Sequence, residues 1–193
     1  DNEEGLFHGP SGDRNVTYMN KKLAVMEYYW GDTFGAVSLA LENSSRMWLI
    51  LPDEGLSTGD VLSDGQYLRM LSGEWENSGT YQVNLSMPKF DITSSRDLTS
   101  GLKEMGVTDV FTPGKADFTA ITGDVPVGLA KADQVVRVQV DEQGVKAAAI
   151  IGLPGATSPE PPEEIVDFIL NRPFIFVISS SSVPLFVGTV NEP

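Results

Sequence analysis

His8 is the only histidine in the chain, and cysteine is absent. A nucleophile–histidine–carboxylate relay would have to be built on His8 alone, with one of the many serines attacking. No Gly-x-Ser-x-Gly elbow is there to present such a serine. Without cysteine there are no disulfides, thiolate metal sites or thiol nucleophiles. The carboxylates show no calcium-loop spacing, and the glycines form neither a phosphate-cradling nor a dinucleotide pattern. The expectation is a chain with no catalytic residue, no metal and no cofactor. What stands out is residues 144–164, rich in small residues and prolines and without amphipathic periodicity. Structureless stretches of this length are uncommon unless functional or disordered.

The elements around that stretch read mostly as strands. Residues 16–22 and 23–30 are two strand candidates. Residues 36–42 alternate Val37, Leu39 and Leu41, and 46–51 form a compact apolar run stopped by Pro52. Residues 80–90 alternate Tyr81, Val83, Leu85 and Met87, as a half-buried strand should. Residues 134–140 alternate again, and 174–178 and 185–190 are apolar strands. Helical spacing is rarer. Residues 60–72 place Val61, Leu62, Leu68, Met70 and Leu71 at rough helical intervals, interrupted by Gly65. Asp97 is a candidate N-cap for a helix carrying Leu98, Leu102 and Met105 and ended by Gly106. Trp30, Trp48 and Trp75 are expected in packing rather than in ligand contacts. The fold class is α+β, richer in strand than helix.

Composition narrows the partners. Hydrophobic residues make up 41% of the 193, enough for a sizeable core. No apolar run reaches the length of a membrane helix. The opening Asp1-Asn2-Glu3-Glu4 is acidic and does not read as a signal peptide. Twenty-seven acidic residues against thirteen basic ones give a net charge of −14. That surface repels phosphate backbones and anionic lipid, so neither nucleic acid nor membrane is expected as a partner. Three glycosylation sequons occur, at Asn15-Val-Thr17, Asn43-Ser-Ser45 and Asn84-Leu-Ser86.

Several motifs fall in one order. Phe168-Ile-Leu-Asn171-Arg172-Pro173-Phe174 runs into the strand ending at Ile178. Asp141-Glu142-Gln-Gly144-Val145-Lys146-Ala147-Ala148-Ala149 lies upstream of the small-residue stretch. Pro184-Leu-Phe-Val-Gly188 and Asn191-Glu-Pro193 close the chain. Phe7-His8, Leu51-Pro-Asp-Glu54, Met87-Pro-Lys-Phe90, Asp97-Leu98, Met105-Gly106, Val110-Phe111 and Ala116-Asp117-Phe118 precede them. This ordered set resembles the serpin family of serine protease inhibitors, from about Glu4 to Pro193. A whole serpin is about twice this long. The resemblance therefore implies that residues 1–193 are the C-terminal portion of one serpin domain. That portion would comprise mostly sheets B and C with part of sheet A and few helices. The N-terminal half would be a missing partner.

The resemblance implies a mechanism and assigns residues to it. The reactive loop would span about 144–164, and the catalytic serine would belong to the target protease. Gly144, Val145, Lys146, Ala147, Ala148 and Ala149 would form the hinge that enters the central sheet after cleavage. Strand parity puts Val145, Ala147, Ala149 and Ile151 on the face to be buried, and all four are apolar. Lys146, where the family usually has an acidic residue, points the other way. The scissile bond is placed at Thr157–Ser158, with Ala156 and Pro159 marking the alternatives on either side. Family spacing gives Ser158–Pro159, which proline disfavours. Small side chains there suit a protease with a shallow primary pocket, elastase-like or subtilisin-like. Lys89 and Glu142 match the gate pair at the top of the central sheet. Gln134 stands where many serpins have a shutter histidine. The protein would be secreted or at the cell surface. An inhibitor that traps its protease covalently is the leading reading. A non-inhibitory chaperone or carrier serpin is the alternative, and a structural fragment needing its missing half is a third.

Overall fold

The computed structural model describes residues 2–41, 44–123, 125–142, 162–181 and 183–193. They divide into two compact units, residues 1–91 with 139–193 and residues 92–138.

The first unit is built on one sheet of eight strands. These are β1 (Asn2–Gly9), β2 (Gly12–Trp30), β3 (Phe34–Ala40), β4 (Ser45–Pro52), β5 (Ser78–Pro88), β8 (Ile165–Ile169), β9 (Phe174–Ser180) and β10 (Val183–Val190). The spatial order is β10-β9-β4-β3-β2-β5-β8, with β1 paired to β2 off that path. Every pairing is antiparallel except β5 with β8, which is parallel. Two short helices, α1 (Thr58–Asp64) and α2 (Gln66–Leu71), lie between β4 and β5 in the chain.

β4 and β9 read as continuous apolar runs because both of their faces are covered. Trp48, Ile50, Ile175 and Val177 pack with Val61, Met70 and Leu71 of the helices. The alternate residues Met47, Leu49, Phe174 and Phe176 are equally buried on the opposite face. There Phe90 lays its ring 5.9 Å from Phe174 and 5.7 Å from Phe176. Of the three tryptophans, Trp48 is buried and Trp75 packs at the edge of that cluster. Trp30 is partly exposed and stacked on Tyr28.

Four expectations change. Residues 16–22 and 23–30 belong to one 19-residue strand, β2, bulged between Lys21 and Ala24 with Leu23 at φ 48°. The proposed helix over 60–72 is two helices. Gly65, at φ 70°, ends α1 and begins α2, a left-handed conformation that glycine adopts without steric cost. Ser57 and Asp60 form a reciprocal capping box in front of α1. The strand over 80–90 ends at Pro88, and a separate strand, β6 (Phe90–Asp97), begins after Lys89. Finally, Asp97 is not the N-cap of α3 (Thr99–Glu104); Leu98 holds that position, and Asp97 Oδ1 accepts from the Thr99 amide at 2.8 Å.

The second unit holds most of a two-stranded sheet, β6 with β7 (Asp133–Val140), together with α3, a 3-10 turn at Asp109–Phe111 and α4 (Thr119–Thr122). Thr99 Oγ1 accepts from the Ala132 amide at 3.0 Å, and the Leu98 amide donates to the Ala132 carbonyl at 2.8 Å. These bonds tie the start of α3 to the segment entering β7.

Candidate functional site

Lys89 is the residue between β5 and β6. Pro88 and Phe90 on either side are buried, and the Lys89 amide donates to the Thr17 carbonyl at 2.9 Å. The side chain therefore leaves a fixed backbone. It is 32% exposed and reaches Glu142, two residues beyond β7, whose side chain is 49% exposed. The ammonium forms an ion pair with Glu142 Oε1. The side-chain amide of Asn2, the first residue of β1, donates to the same oxygen.

Three donors lower the Glu142 carboxyl to about 2. The largest effect is the hydrogen bond from Lys89, followed by a backbone donor and the Asn2 amide. Exposed pairs add little to global stability, because water and salt screen them. The effect here is local. Glu142 lies two residues past the end of β7, so the pair ties the segment just after that strand to the residue after β5.

Residues 162–169 are held along β5, in the eight-stranded sheet. Gln82 Nε2 donates to the Pro162 carbonyl at 2.5 Å, and the Gln82 amide donates to the Glu164 carbonyl at 3.0 Å. β8 then follows β5 from Ile165 opposite Gln82 to Ile169 opposite Ser86. Beyond it, Arg172 turns its guanidinium onto the Pro52 carbonyl, with Nε at 3.2 Å and Nη2 at 2.8 Å. This holds the turn into β9 against the end of β4.

Of the residues singled out in the sequence, Lys89 and Glu142 are brought into contact. Gln134 lies on β7, exposed. The hinge residues Gly144, Val145, Lys146, Ala147, Ala148 and Ala149 lie outside the described residues, as do Ala156, Thr157, Ser158 and Pro159. Asn2 was not foreseen: an uncharged amide far away in sequence leaves no local signal. His8 pairs with Asp13 at 2.7 Å on the β1–β2 hairpin, in an exposed position. Among the described residues, no cluster of three His, Cys, Asp or Glu could hold a metal. No helix among them is long and apolar enough to cross a membrane.

A cleft of about 380 Å³ lies beside Tyr29, Arg46, Trp48 and Trp75. Several of its polar groups are hydrogen-bonded within the protein. Trp48 Nε1 donates to Ser179 Oγ at 3.2 Å, Trp75 Nε1 to the Trp30 carbonyl at 2.9 Å, and Ser78 Oγ to Glu27 at 2.8 Å. Burial, with Glu27 nearby, raises the Tyr29 hydroxyl to about 12.

Comparison with known proteins decides the family. A family model described as serpin (serine protease inhibitor) matches residues 1–193, the whole chain. The chain belongs to the serpin family. An alpha-1-antiproteinase 2 from Equus caballus is 33% identical over 181 residues, covering 91% of this chain and 41% of that protein. An alpha-1-antiproteinase from Callosciurus caniceps is 32% identical over 195 residues, covering 98% and 45%. Among solved structures, a serpin from the trematode Schistosoma haematobium has a TM-score of 0.74 at 26% identity, covering all of this chain and 51% of that one. The thermophilic serpin tengpin, in its native state, has a TM-score of 0.71 at 27% identity, covering 100% and 50%. The chain spans about half the length of the serpins it matches. The fold is the C-terminal part of the α+β serpin fold, as the ordered motifs implied.

Proposed function

We propose that residues 1–193 form the C-terminal portion of an inhibitory serpin, completed by an N-terminal half, and that residues 144–164 are its reactive loop. The observation that carries this reading is the tied start of the hinge, Glu142 paired with Lys89 and Asn2, followed in the sequence by a run without a charge on the face to be buried. By strand parity Val145, Ala147, Ala149 and Ile151 would share that face on insertion, and all four are apolar; the one charge, Lys146, would fall on the other face.

The chemistry is acyl transfer to the target. The protease serine oxygen attacks the carbonyl carbon of Thr157, or of a neighbour from Ala156 to Ser158. The peptide bond to the next residue breaks, and the new amine leaves with the proton returned by the protease histidine. The upstream segment stays esterified to the protease. Its hinge then adds to the central sheet as a strand, which the handedness and parity of an extended segment allow. About ten new ladder hydrogen bonds at ~1 kcal/mol each, with ~3 kcal/mol from burying Val145 and Ile151, rival the whole stability of an ordinary domain. Insertion can therefore do mechanical work on the bound protease. Small residues at the bond favour an elastase-like or subtilisin-like target. The setting we propose, from the family resemblance, is secreted or cell-surface.

The test mixes the full-length serpin with elastase or subtilisin on a denaturing gel. A band at the summed mass, with mass spectrometry placing the new C-terminus at or beside Thr157, is expected. Clean cleavage without a stable complex refutes the inhibitory reading. It would favour a chaperone or carrier serpin, to which Lys146 on the hinge and Gln134 in place of histidine would be the first pointers.

A further inference from the structure

β8 is a five-residue strand at the end of the sheet order, with one strand neighbour among the described residues, β5. Its ladder is closed at one end by the Gln82 amide on the Glu164 carbonyl. At the other end, the Leu170 amide donates to the Ser86 carbonyl at 2.9 Å. Phe168 is buried with its ring 6.1 Å from Tyr28, while Ile165 and Ile169 are exposed. Such a strand has few apolar contacts, and elements of that kind open locally before the rest of a fold does.

Asn84 stands directly opposite Asp167 in the parallel register. Its side-chain amide works in two directions. Nδ2 donates to Asp167 Oδ1 at 2.8 Å, and Oδ1 accepts from the Leu23 backbone amide at 3.1 Å. Leu23 sits in the β2 bulge at φ 48°, where the register between Lys21 and Ala24 shifts. One side chain thus completes the bulge on one side of β5 and grips β8 on the other. Only a group with both a donor and an acceptor can do this; a carboxylate lacks the donor. The same residue opens the Asn84-Leu-Ser86 sequon. Both polar side chains of that sequon are engaged, Ser86 Oγ donating to Asn20 Oδ1 at 2.6 Å.

We propose that Asn84 and Asp167 are positioning residues that clasp β8 to β5 and so fix the downstream end of the reactive loop. The functional half of this statement rests on residues 144–164 being that loop. The clasp itself does not.

Hydrogen exchange by mass spectrometry on the full-length protein tests it, with residues 20–26 and 165–170 read separately. Asn84→Asp keeps the acceptor for Leu23 but turns a like charge toward Asp167. Exchange over 165–170 should rise about fivefold or more, with 20–26 unchanged, as expected for losing one hydrogen bond and adding repulsion. Adding Asp167→Asn restores a donor facing the new carboxylate and should return β8 to the wild-type rate. Asp167→Asn alone keeps an acceptor oxygen and should change little. Unchanged β8 exchange in Asn84→Asp, or no rescue in the double variant, overturns the clasp. Inhibitory capacity after incubation at 37 °C is the second readout. It should decay faster in Asn84→Asp and recover in the double variant. If the wild type forms no stable complex with protease, the inhibitory reading fails while the exchange result still decides the clasp.

Discussion

Replacing Phe90 tests how the Lys89–Glu142 pair is held. Phe90 is 3% exposed and packs its ring on Phe174 and Phe176. It also fixes the backbone from which Lys89 projects. Phe90→Ala removes a buried ring and leaves a cavity between two aromatic neighbours that β9 holds in place. Such truncations cost about 3–5 kcal/mol, including the ring-pair interactions of about 0.5–1.5 kcal/mol each. Phe90→Leu keeps most of the volume and should cost less than about 1.5 kcal/mol. The assay is urea unfolding of the full-length protein, followed by intrinsic fluorescence, comparing midpoints at equal slope. A loss below about 1 kcal/mol for Phe90→Ala, or equal losses for the two variants, would show that the ring does not occupy a tight core. Lys89 would then not project from a rigid support.

Three further outcomes are expected. Ser179→Ala leaves the buried Trp48 indole N–H without its acceptor, which should cost about 1–3 kcal/mol in the same assay; Trp48→Phe added to it should cost less than the two separate losses combined. The Glu142 carboxyl, lowered from an ordinary value near 4.5 to about 2, binds fewer protons folded than unfolded. Its contribution is therefore full above about pH 4.5 and lost as pH falls through about 2. Side-chain NMR titration should find its midpoint near 2, rising in Lys89→Met and less in Asn2→Ala, and a midpoint near 4 in the wild type contradicts the contacts of Glu142 with Lys89 and Asn2. On the proposed hinge, Ala147→Arg buries a charge on insertion and should turn the inhibitor into a substrate. Ala148→Arg faces outward and should leave the stoichiometry of inhibition within about twofold, so equal effects at both positions would refute the parity argument.

Strands that carry their own pattern were legible. β4 and β9 announce themselves as apolar runs, and β5 alternates Val83, Leu85 and Met87 toward the core. β1 does not, because its identity comes from pairing. Asn2, Glu3, Glu4 and Gly5 have no strand preference, and only Phe7 is buried. β8 is short, follows a run of prolines, and exposes both of its terminal isoleucines. The helix over 60–72 carried the right apolar residues, yet the left-handed turn at Gly65 divides it. The Lys89–Glu142 pair came from family resemblance alone. No local spacing connects a residue after β5 with one after β7, and the third donor, Asn2, had no signal at all. Long-range polar contacts are set by the fold, and a single sequence shows them only once the fold is known.

The two ends of the proposed loop are tied to one strand. Lys89, one residue past β5, holds Glu142 upstream, and Gln82 and Asn84 within β5 hold Pro162 and Asp167 downstream. Along β5 these anchors are about 20 Å apart at ~3.4 Å per residue. The stretch between them, about 20 residues, could span about 65 Å if extended. On the proposed mechanism, slack of that size would let the loop be offered to a protease while both anchors stay closed. On the proposed mechanism, cleavage then separates their duties. The upstream segment can leave Glu142 and insert, and the downstream segment stays on β5 because nothing pulls on it. On the same mechanism, any insertion in the uncleaved protein deep enough to use up the slack would have to strip β8 from β5. The downstream clasp would therefore act as a kinetic barrier to premature insertion, and the upstream pair as the point where insertion begins. Weakening either should shorten the lifetime of the active inhibitor. Only the downstream change should do so without altering the rate of insertion once the bond is cut.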